Sequence, residues 1–81
     1  MPKYDPLQMH LTGQRGQQVQ LSFQEIEKII GQPLPQAAYR YEWWWSNEDL
    51  RTTTHVQCRA WQEAGYEAKV QLARQAVTFT R

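Results

Sequence analysis

The sequence predicts a single α+β domain in which short helices precede a small antiparallel sheet. Three patterns support this: a capping box that opens an amphipathic segment at Ser22, a second helical segment that ends at Gly65, and alternating apolar and polar residues over 66–81. With 81 residues, the chain is expected to form one domain spanning 1–81. A chain of this length buries about 60–65% of its unfolded surface, so the core must come from a few large aromatic side chains.

The first segment, residues 1–12, is predicted to form a short helix. Asp5 has a side chain suited to the N-cap, and Pro6 suits the first helical position. Two glycines predict a turn at residues 13–16. Residues 18–21 then alternate glutamine with apolar residues, which is typical of a short half-buried strand.

The clearest local signal is the capping box that begins at Ser22. The Ser22 hydroxyl can accept the backbone N–H three residues on, while the Glu25 side chain returns to the backbone N–H of Ser22. The helix is predicted to run from Phe23 to Ile30 with one apolar face. Gly31 is a suitable C-cap, and Pro33 prevents the helix from continuing.

The middle of the chain joins aromatic residues to a polar segment. Residues 36–41 are predicted to form one or two helical turns, and three consecutive tryptophans, Trp43–Trp45, follow them. The segment Ser46–Thr53 contains almost no apolar residue, which predicts a surface loop.

The last helix is predicted to begin with a capping box at Thr54 and to stop at Gly65. One side of it is expected to be apolar and the other to face solvent. The expected apolar stripe is Val56, Ala60 and Ala64, and the expected outer residues are His55, Cys58, Arg59 and Gln62. Gln57 falls toward the stripe, where a buried amide would fix the tryptophan segment.

The last 16 residues predict a β-hairpin. Tyr66–Leu72 and Val77–Thr80 alternate apolar and polar side chains, and residues 73–75 turn the chain between them. The whole order is then helix, short strand, helix, helix, hairpin, which is that of a winged helix. In such a fold the short strand joins the hairpin as a third strand, and the last helix enters the major groove of DNA.

The connection between the second and last helices departs from that pattern. A helix-turn-helix has a connecting turn of about three or four residues, whereas 24 residues separate Ile30 from His55. Either residues 36–41 supply the second helix of the motif, or the domain is a different α+β layer. The predicted class is therefore α+β and winged-helix-like, with three helices and a small antiparallel sheet.

Composition limits the classes of function. The net charge of +1 is low for a nucleic-acid-binding domain, although most of the basic residues are Arg, which binds phosphate and guanine bidentately. The single Cys58 excludes an internal disulfide and indicates a reducing cytoplasm. No apolar run suits a signal peptide or a membrane span. Because phosphate-loop, paired-histidine and nucleophile-elbow motifs are missing, we expect no catalysis, no metal and no cofactor.

The tryptophan run has two interpretations. In the first, two of the three rings point into the core of so small a domain. In the second, an exposed ring stacks on a nucleobase or anchors a protein partner, flanked by Arg40 and Arg51. At least one ring is expected to stay partly exposed, because three adjacent side chains cannot all face one way.

The predicted contact residues lie in the second half of the chain. On the last helix, an outward Arg can read guanine and an outward Gln adenine, and the alternative is a plain solvated face. The hairpin residues Lys69, Arg74 and Arg81 either meet phosphates or discourage pairing between sheet edges. The predicted set is Arg40, Trp44, Trp45, Asn47, Arg51, His55, Arg59, Gln62, Lys69 and Arg74.

Several segments resemble a family of small bacterial and phage domains of unknown function. They are KYDPL at 3–7, VQLSFQEIEKIIGQPLP at 19–35, WWSN at 44–47, HVQCRAWQEAGYEAKVQL at 55–72 and VTFTR at 77–81. Tyr66 and Cys58 stand where the family usually has Trp and Ala, and the loop 48–54 looks longer than usual. Related domains occur alone and beside restriction-type or other DNA-acting proteins, so the resemblance implies a link to nucleic acid.

Two main hypotheses follow. The first is a non-enzymatic nucleic-acid-binding domain, for DNA above all, in which the last helix enters a groove and the hairpin flanks it. The alternative is a protein-interaction module, such as a phage inhibitor of a host defence system, an antitoxin-like partner or a homodimer. A third is an accessory domain of a larger nuclease system.

Overall fold

The computed structural model describes residues 3–81, so the first two residues of the predicted N-terminal helix lie outside the described part. Within 3–81, four α-helices and three strands form an α+β fold. They are α1 Asp5–Thr12, β1 Gln18–Ser22, α2 Phe23–Ile30, α3 Gln36–Arg40, α4 Gln57–Gln62, β2 Glu67–Gln71 and β3 Ala76–Thr80. A 3-10 turn at Glu42–Trp45, named the tryptophan turn, follows α3, and a second at Leu72–Arg74 lies between β2 and β3. None of the described helices is long and apolar enough to cross a membrane.

The three strands form one antiparallel sheet in the order β1–β3–β2. The predicted hairpin is confirmed, and β1 joins it as the predicted third strand by pairing with β3. Val77 of β3 lies opposite Leu21 of β1 and Val70 of β2, so that row faces the core. The next row, Gln20, Thr78 and Lys69, points away from the core because side chains alternate along a strand.

Helix α2 forms as predicted. The backbone N–H of Glu25 donates to the Ser22 hydroxyl at 3.0 Å, and the backbone N–H of Ser22 donates to the Glu25 carboxylate at 2.9 Å. Gly31 ends the helix with φ of 76°, a left-handed conformation that glycine adopts without a Cβ penalty. Phe23, Ile26 and Ile30 are buried on the apolar face.

The predicted N-caps of α1 and α4 are wrong. Asp5 is the first residue inside α1, not its cap, and the cap residue Tyr4 makes no side-chain hydrogen bond. Helix α4 begins at Gln57 without a side-chain cap, so the predicted capping box at Thr54 does not form. In the turn before the helix, the neighbouring Thr53 hydroxyl accepts the backbone N–H of His55 at 3.1 Å.

The predicted faces of α4 are wrong at two positions, although Ala60 is buried as predicted. Val56 was expected in the apolar stripe but is 60% exposed, whereas Cys58 was expected outside and is 1% exposed. Helix α4 contacts α1, β2 and the tryptophan turn, so it is covered on more than one side. Gln57 is buried and donates from its amide to the Trp44 carbonyl at 3.2 Å, which confirms the prediction that this amide fixes the tryptophan segment.

Aromatic rings form the centre of the core. Trp45 stacks on Phe23 with 5.2 Å between ring centroids and on Trp61 with 5.7 Å. Trp44 meets the edge of Trp45 at 4.6 Å, and the Trp45 indole N–H donates to the Ala38 carbonyl at 2.9 Å. These contacts hold the tryptophan turn against α2, α3 and α4, and they therefore decide which ring of the run faces solvent.

Candidate interaction surface

The tryptophan turn presents one of its three rings to solvent. Trp44 and Trp45 are buried, whereas Trp43 is 51% exposed. A 3-10 turn has about three residues per turn, so three consecutive side chains point in three directions. Trp43 stacks on the exposed ring of Tyr41, with 5.8 Å between centroids and 19° between planes.

The exposed aromatic pair continues onto the residues that precede α4. The imidazole of His55 lies 6.0 Å from the Trp43 ring, centroid to centroid, and the exposed side chain of Val56 follows it in the chain. We name Tyr41, Trp43, His55 and Val56 the aromatic band.

A groove between α1 and α4 begins at Val56. Its volume is about 390 Å³, and its walls are partly apolar and partly charged. The lining residues are Lys3, Tyr4, Asp5, Gln8, Val56, Arg59, Ala60 and Glu63. Tyr4 contacts the core, because its ring meets the Trp44 ring edge-on with 5.8 Å between centroids.

The groove continues around α1 to a fourth exposed apolar side chain. A shallow depression lined by Gln8, Met9 and Thr12 shares Asp5 and Gln8 with the groove. Met9 is 69% exposed. The four most exposed large apolar side chains of residues 3–81, namely Met9, Tyr41, Trp43 and Val56, therefore lie along one connected surface.

A short network of polar side chains holds His55, one residue of the aromatic band. Nδ1 of His55 lies 2.7 Å from Oε2 of Glu48, and the Thr53 hydroxyl donates to Oε1 of Glu48 at 2.6 Å. Two hydrogen bonds lower the pKa of Glu48 below its usual value. The larger effect comes from Thr53 and the next from His55. An ionised Glu48 thus orients the imidazole that contacts Trp43.

Two of the predicted contact residues are tryptophans, and the structure places both of them in the core. Trp44 and Trp45 are buried and make core contacts, so the exposed member of the run is Trp43, which the predicted set omitted. The broader expectation, two rings inside and one partly exposed, is confirmed.

The side chain of Asn47, which is also in the predicted set, makes hydrogen bonds inside the molecule. Its amide oxygen accepts the indole N–H of Trp61 at 2.9 Å and the backbone N–H of Ala68 at 2.7 Å. Its amide nitrogen donates to the Ala68 carbonyl at 3.0 Å. Asn47 therefore joins the tryptophan turn to α4 and β2.

The predicted residues of α4 are similarly engaged. Arg59 donates to the Leu50 carbonyl at 2.7 Å and to the Glu63 carboxylate at 3.1 Å, while it also lines the groove. The amide oxygen of Gln62 is shielded from solvent and accepts no hydrogen bond within the described chain. Neither side chain projects freely, as base reading in a major groove would require.

The remaining predicted cations lie on different elements at the surface. Arg51 pairs with Asp49 inside the loop after the tryptophan turn, with 3.2 Å between Nε and Oδ1. Arg40 ends α3, Lys69 is exposed on β2 and Arg74 is exposed at the hairpin turn; none of these three has an ion-pair partner among residues 3–81. Arg81 lies over the Tyr66 ring at 4.7 Å.

Cys58 is the one cysteine of the chain, and metal-binding groups do not converge in its described part. Cys58 is buried, burial raises its thiol pKa, and the thiol lies 3.5 Å from the His55 carbonyl oxygen. Residues 3–81 contain no cluster of three His, Cys, Asp or Glu side chains that could hold a metal ion. Residues 3–81 offer an apolar, aromatic surface for binding, and the pair formed by His55 and Glu48 lies at its edge.

Sequence reasoning did not find Tyr41, Tyr4 or the groove. The groove depends on the packing of α1 against α4, which lie about 50 residues apart in the chain. One usable signal was present: Tyr41 and Trp43 are large aromatic residues that flank a charged residue, Glu42.

Comparison with known proteins agrees with the resemblance noted in the sequence. Residues 4–81 match the family model described as domain of unknown function DUF7662. No curated protein and no solved structure matches the chain.

Proposed function

The chain belongs to the DUF7662 family of domains of unknown function, and from its own surface we propose that it is a non-catalytic protein-interaction domain whose contact surface is the aromatic band with the adjoining groove. The observation that carries this proposal is the connected exposure of Met9, Tyr41, Trp43 and Val56. Exposed aromatic and apolar side chains that are rimmed by polar residues often mark interaction sites on soluble proteins.

The residue types of the band support a protein partner. Tyr and Trp are enriched in the centres of protein interfaces, where they bury a large area with few rotatable bonds. Trp43 is already stacked on Tyr41 and contacts His55, so little conformational entropy is lost when a partner covers it.

The charges around the band favour protein over nucleic acid. The groove walls carry Lys3 and Arg59 but also Asp5 and Glu63, and the carboxylate of Glu48 holds His55. A phosphate backbone placed here would meet carboxylates at short range, whereas phosphate binding needs a local excess of cations.

Site-specific photo-crosslinking in the native host tests the proposal. A benzoylphenylalanine at Val56, which is exposed, is expected to give discrete protein adducts. The same group at Gln20, which is exposed on the outer face of the sheet, is the matched control and is expected to give none. Trp43→Ala in the Val56 background should reduce the adducts about tenfold, as expected for loss of an aromatic anchor.

Equal labelling from Val56 and Gln20, or adducts that survive Trp43→Ala undiminished, would contradict the proposal. Because Trp43 is half exposed and outside the Trp45-centred stack, we expect its truncation to leave the fold in place. A circular dichroism spectrum of the variant checks that condition.

A second candidate function is nucleic-acid binding of the winged-helix kind, and the strand order favours it. A short strand after the first helix joins a C-terminal hairpin in the order β1–β3–β2, and the hairpin follows α4 directly. Lys69 and Arg74 lie exposed on this hairpin without ion-pair partners among residues 3–81. In this alternative they contact phosphates, and α4 contributes less because most of it is buried.

Salt titration separates the two candidates. Nucleic-acid binding predicts that duplex or single-stranded DNA binds at about 50 mM salt and that affinity falls steeply as salt rises. Lys69→Gln and Arg74→Gln should each reduce the salt slope by about one. No binding at low salt would remove this candidate and leave the protein-interaction proposal unaffected.

A further inference from the structure

We infer that the side chain of Asn47 blocks one edge of the sheet against pairing with a strand of another chain. The strand order β1–β3–β2 makes β1 and β2 the two edges. An edge strand presents unpaired backbone N–H and C=O groups, and these can template pairing with any extended chain. The blocked edge is that of β2, and the block does not depend on the proposed partner surface.

The ladder between β1 and β3 shows which groups of β3 are left for β2. The backbone N–H of Phe23 donates to the Gln75 carbonyl at 2.8 Å, and that of Arg81 donates to the Gln17 carbonyl at 2.8 Å. Along an antiparallel strand, successive residues bond alternately to one side and to the other. The odd-numbered residues of β3 therefore bond to β1, and the even-numbered residues bond to β2.

The same alternation determines the outward groups of β2. Thr78 of β3 lies opposite Lys69, so the backbone of Lys69 bonds to β3. Its neighbours Ala68 and Val70 then direct their N–H and C=O groups toward the open edge. Strand β2 has five residues, so a further strand could bond to these two alone.

Asn47 occupies the first of these two positions. Its Oδ1 accepts the backbone N–H of Ala68 at 2.7 Å, and its Nδ2 donates to the Ala68 carbonyl at 3.0 Å. A side-chain amide carries a donor and an acceptor on one planar group, as a peptide bond does. Asn47 thus makes both hydrogen bonds that a residue of a neighbouring strand would make, and Val70 alone is left for a further strand.

The amide of Asn47 is held at this edge from the core side. Its Oδ1 also accepts the indole N–H of the buried Trp61 at 2.9 Å, and the tryptophan turn that precedes Asn47 contacts β2. A strand that displaced Asn47 would leave the Trp61 N–H without its acceptor. The cost of that unpaired donor opposes displacement.

Amide hydrogen exchange in the wild-type protein tests the assignment of the edge. The N–H groups of Ala68 and Val70 both point outward, but Asn47 bonds to that of Ala68. After correction for intrinsic rates, we expect the Val70 N–H to exchange at least about tenfold faster than the Ala68 N–H. Equal exchange of the two groups would overturn the inference, because Asn47 would then provide no protection that the bare edge lacks.

Removing the amide tests the block itself. Asn47→Ala opens the edge at Ala68, so light scattering should show association that rises with concentration, with the infrared signature of intermolecular β-sheet. Because this variant is also less stable, Ile26→Ala is the matched control. It removes a buried side chain of α2, leaves the edge blocked and should associate no more than the wild type. Urea unfolding checks that the two variants have comparable stability.

A second substitution separates strand pairing from loss of stability. Val70→Pro removes the remaining outward N–H of β2 and spares the bonds to β3, since an edge strand tolerates a proline whose nitrogen faces outward. Adding Val70→Pro to Asn47→Ala should therefore reduce association to the level of the Ile26→Ala control.

Three results of these comparisons would overturn the inference. They are a monomeric Asn47→Ala, equal association of Asn47→Ala and Ile26→Ala, and association that Val70→Pro does not reduce. For an Asn47→Ala variant that does not fold, the exchange rates of Ala68 and Val70 in the wild type are decisive.

Discussion

Asn47 joins three parts of the molecule through one side chain. Its amide oxygen accepts two N–H groups, from Trp61 and Ala68, and its nitrogen donates to the Ala68 carbonyl. Removing it leaves two donors that have no other protein partner at that position. A lost partner costs about 1–3 kcal/mol for each buried donor, which is more than the net gain from making one hydrogen bond.

Asn47→Ala is therefore expected to lower the free energy of unfolding by about 2–4 kcal/mol in urea denaturation. Asn47→Asp keeps an oxygen that can accept both N–H groups but turns a second oxygen toward the Ala68 carbonyl, so it should recover only part of the loss. A loss below about 1 kcal/mol in Asn47→Ala would show that these hydrogen bonds do not stabilise the fold.

Through Glu48, the stability of the fold and of the aromatic band is expected to depend on pH in the acid range. Hydrogen bonds from Thr53 and His55 lower its pKa below the ordinary value of 4.5. A carboxyl with a lowered folded-state pKa stabilises the fold above its unfolded-state pKa, and this contribution is lost as pH falls through the folded-state value. The contact between His55 and Trp43 should weaken over the same range.

The variant Glu48→Gln removes this titration. The difference in urea midpoint between wild type and variant should shrink as pH falls below the unfolded-state pKa of Glu48. A difference that stays constant down to pH 3 would mean that Glu48 has the same pKa in both states.

Among the elements, α2 shows what local sequence signals can determine. Ser22, Glu25 and Gly31 carry out their predicted capping roles because each acts on backbone groups within four residues. Ser22→Ala should lower the free energy of unfolding by about 1 kcal/mol, whereas Ser22→Thr keeps the capping hydroxyl and should cost much less. Matching losses for Ala and Thr in thermal or urea unfolding would contradict the capping role.

Helix α4 shows where local signals fail. Thr54 satisfies the pattern of a capping box, but the helix begins later, at Gln57, after a turn in which the Thr53 hydroxyl bonds to Glu48 and to the backbone N–H of His55. Its buried side follows from contacts with α1, β2 and the tryptophan turn, which no periodicity within the helix encodes. For the same reason the sequence did not distinguish Trp43 from Trp44 and Trp45.

At the scale of the whole molecule, the sequence predicted the order of elements, the hairpin and the pairing of β1 with it. The first two features depend on patterns of residues near one another, and the pairing of β1 was predicted from the order of elements, which is that of a winged helix. The interaction surface was not predicted as a unit. It combines Met9 and the groove with residues of the tryptophan turn, and their meeting depends on the packed core.

The burial of Cys58 provides a probe of global unfolding. The thiol is 1% exposed and burial raises its pKa, so both access and thiolate content are low. Labelling by a disulfide reagent should be slow in the native protein and should accelerate with urea in step with unfolding. Fast labelling of the native protein would show that α4 opens locally.

The distribution of the tryptophans has an optical consequence. The core buries three of the four indoles, those of Trp44, Trp45 and Trp61. Trp43 is half exposed. A water-soluble quencher such as acrylamide should therefore extinguish one red-shifted component of the emission and spare the rest. Covering the aromatic band should protect that component and shift it to the blue, so the chain carries its own fluorescent reporter of binding at the surface where binding is proposed.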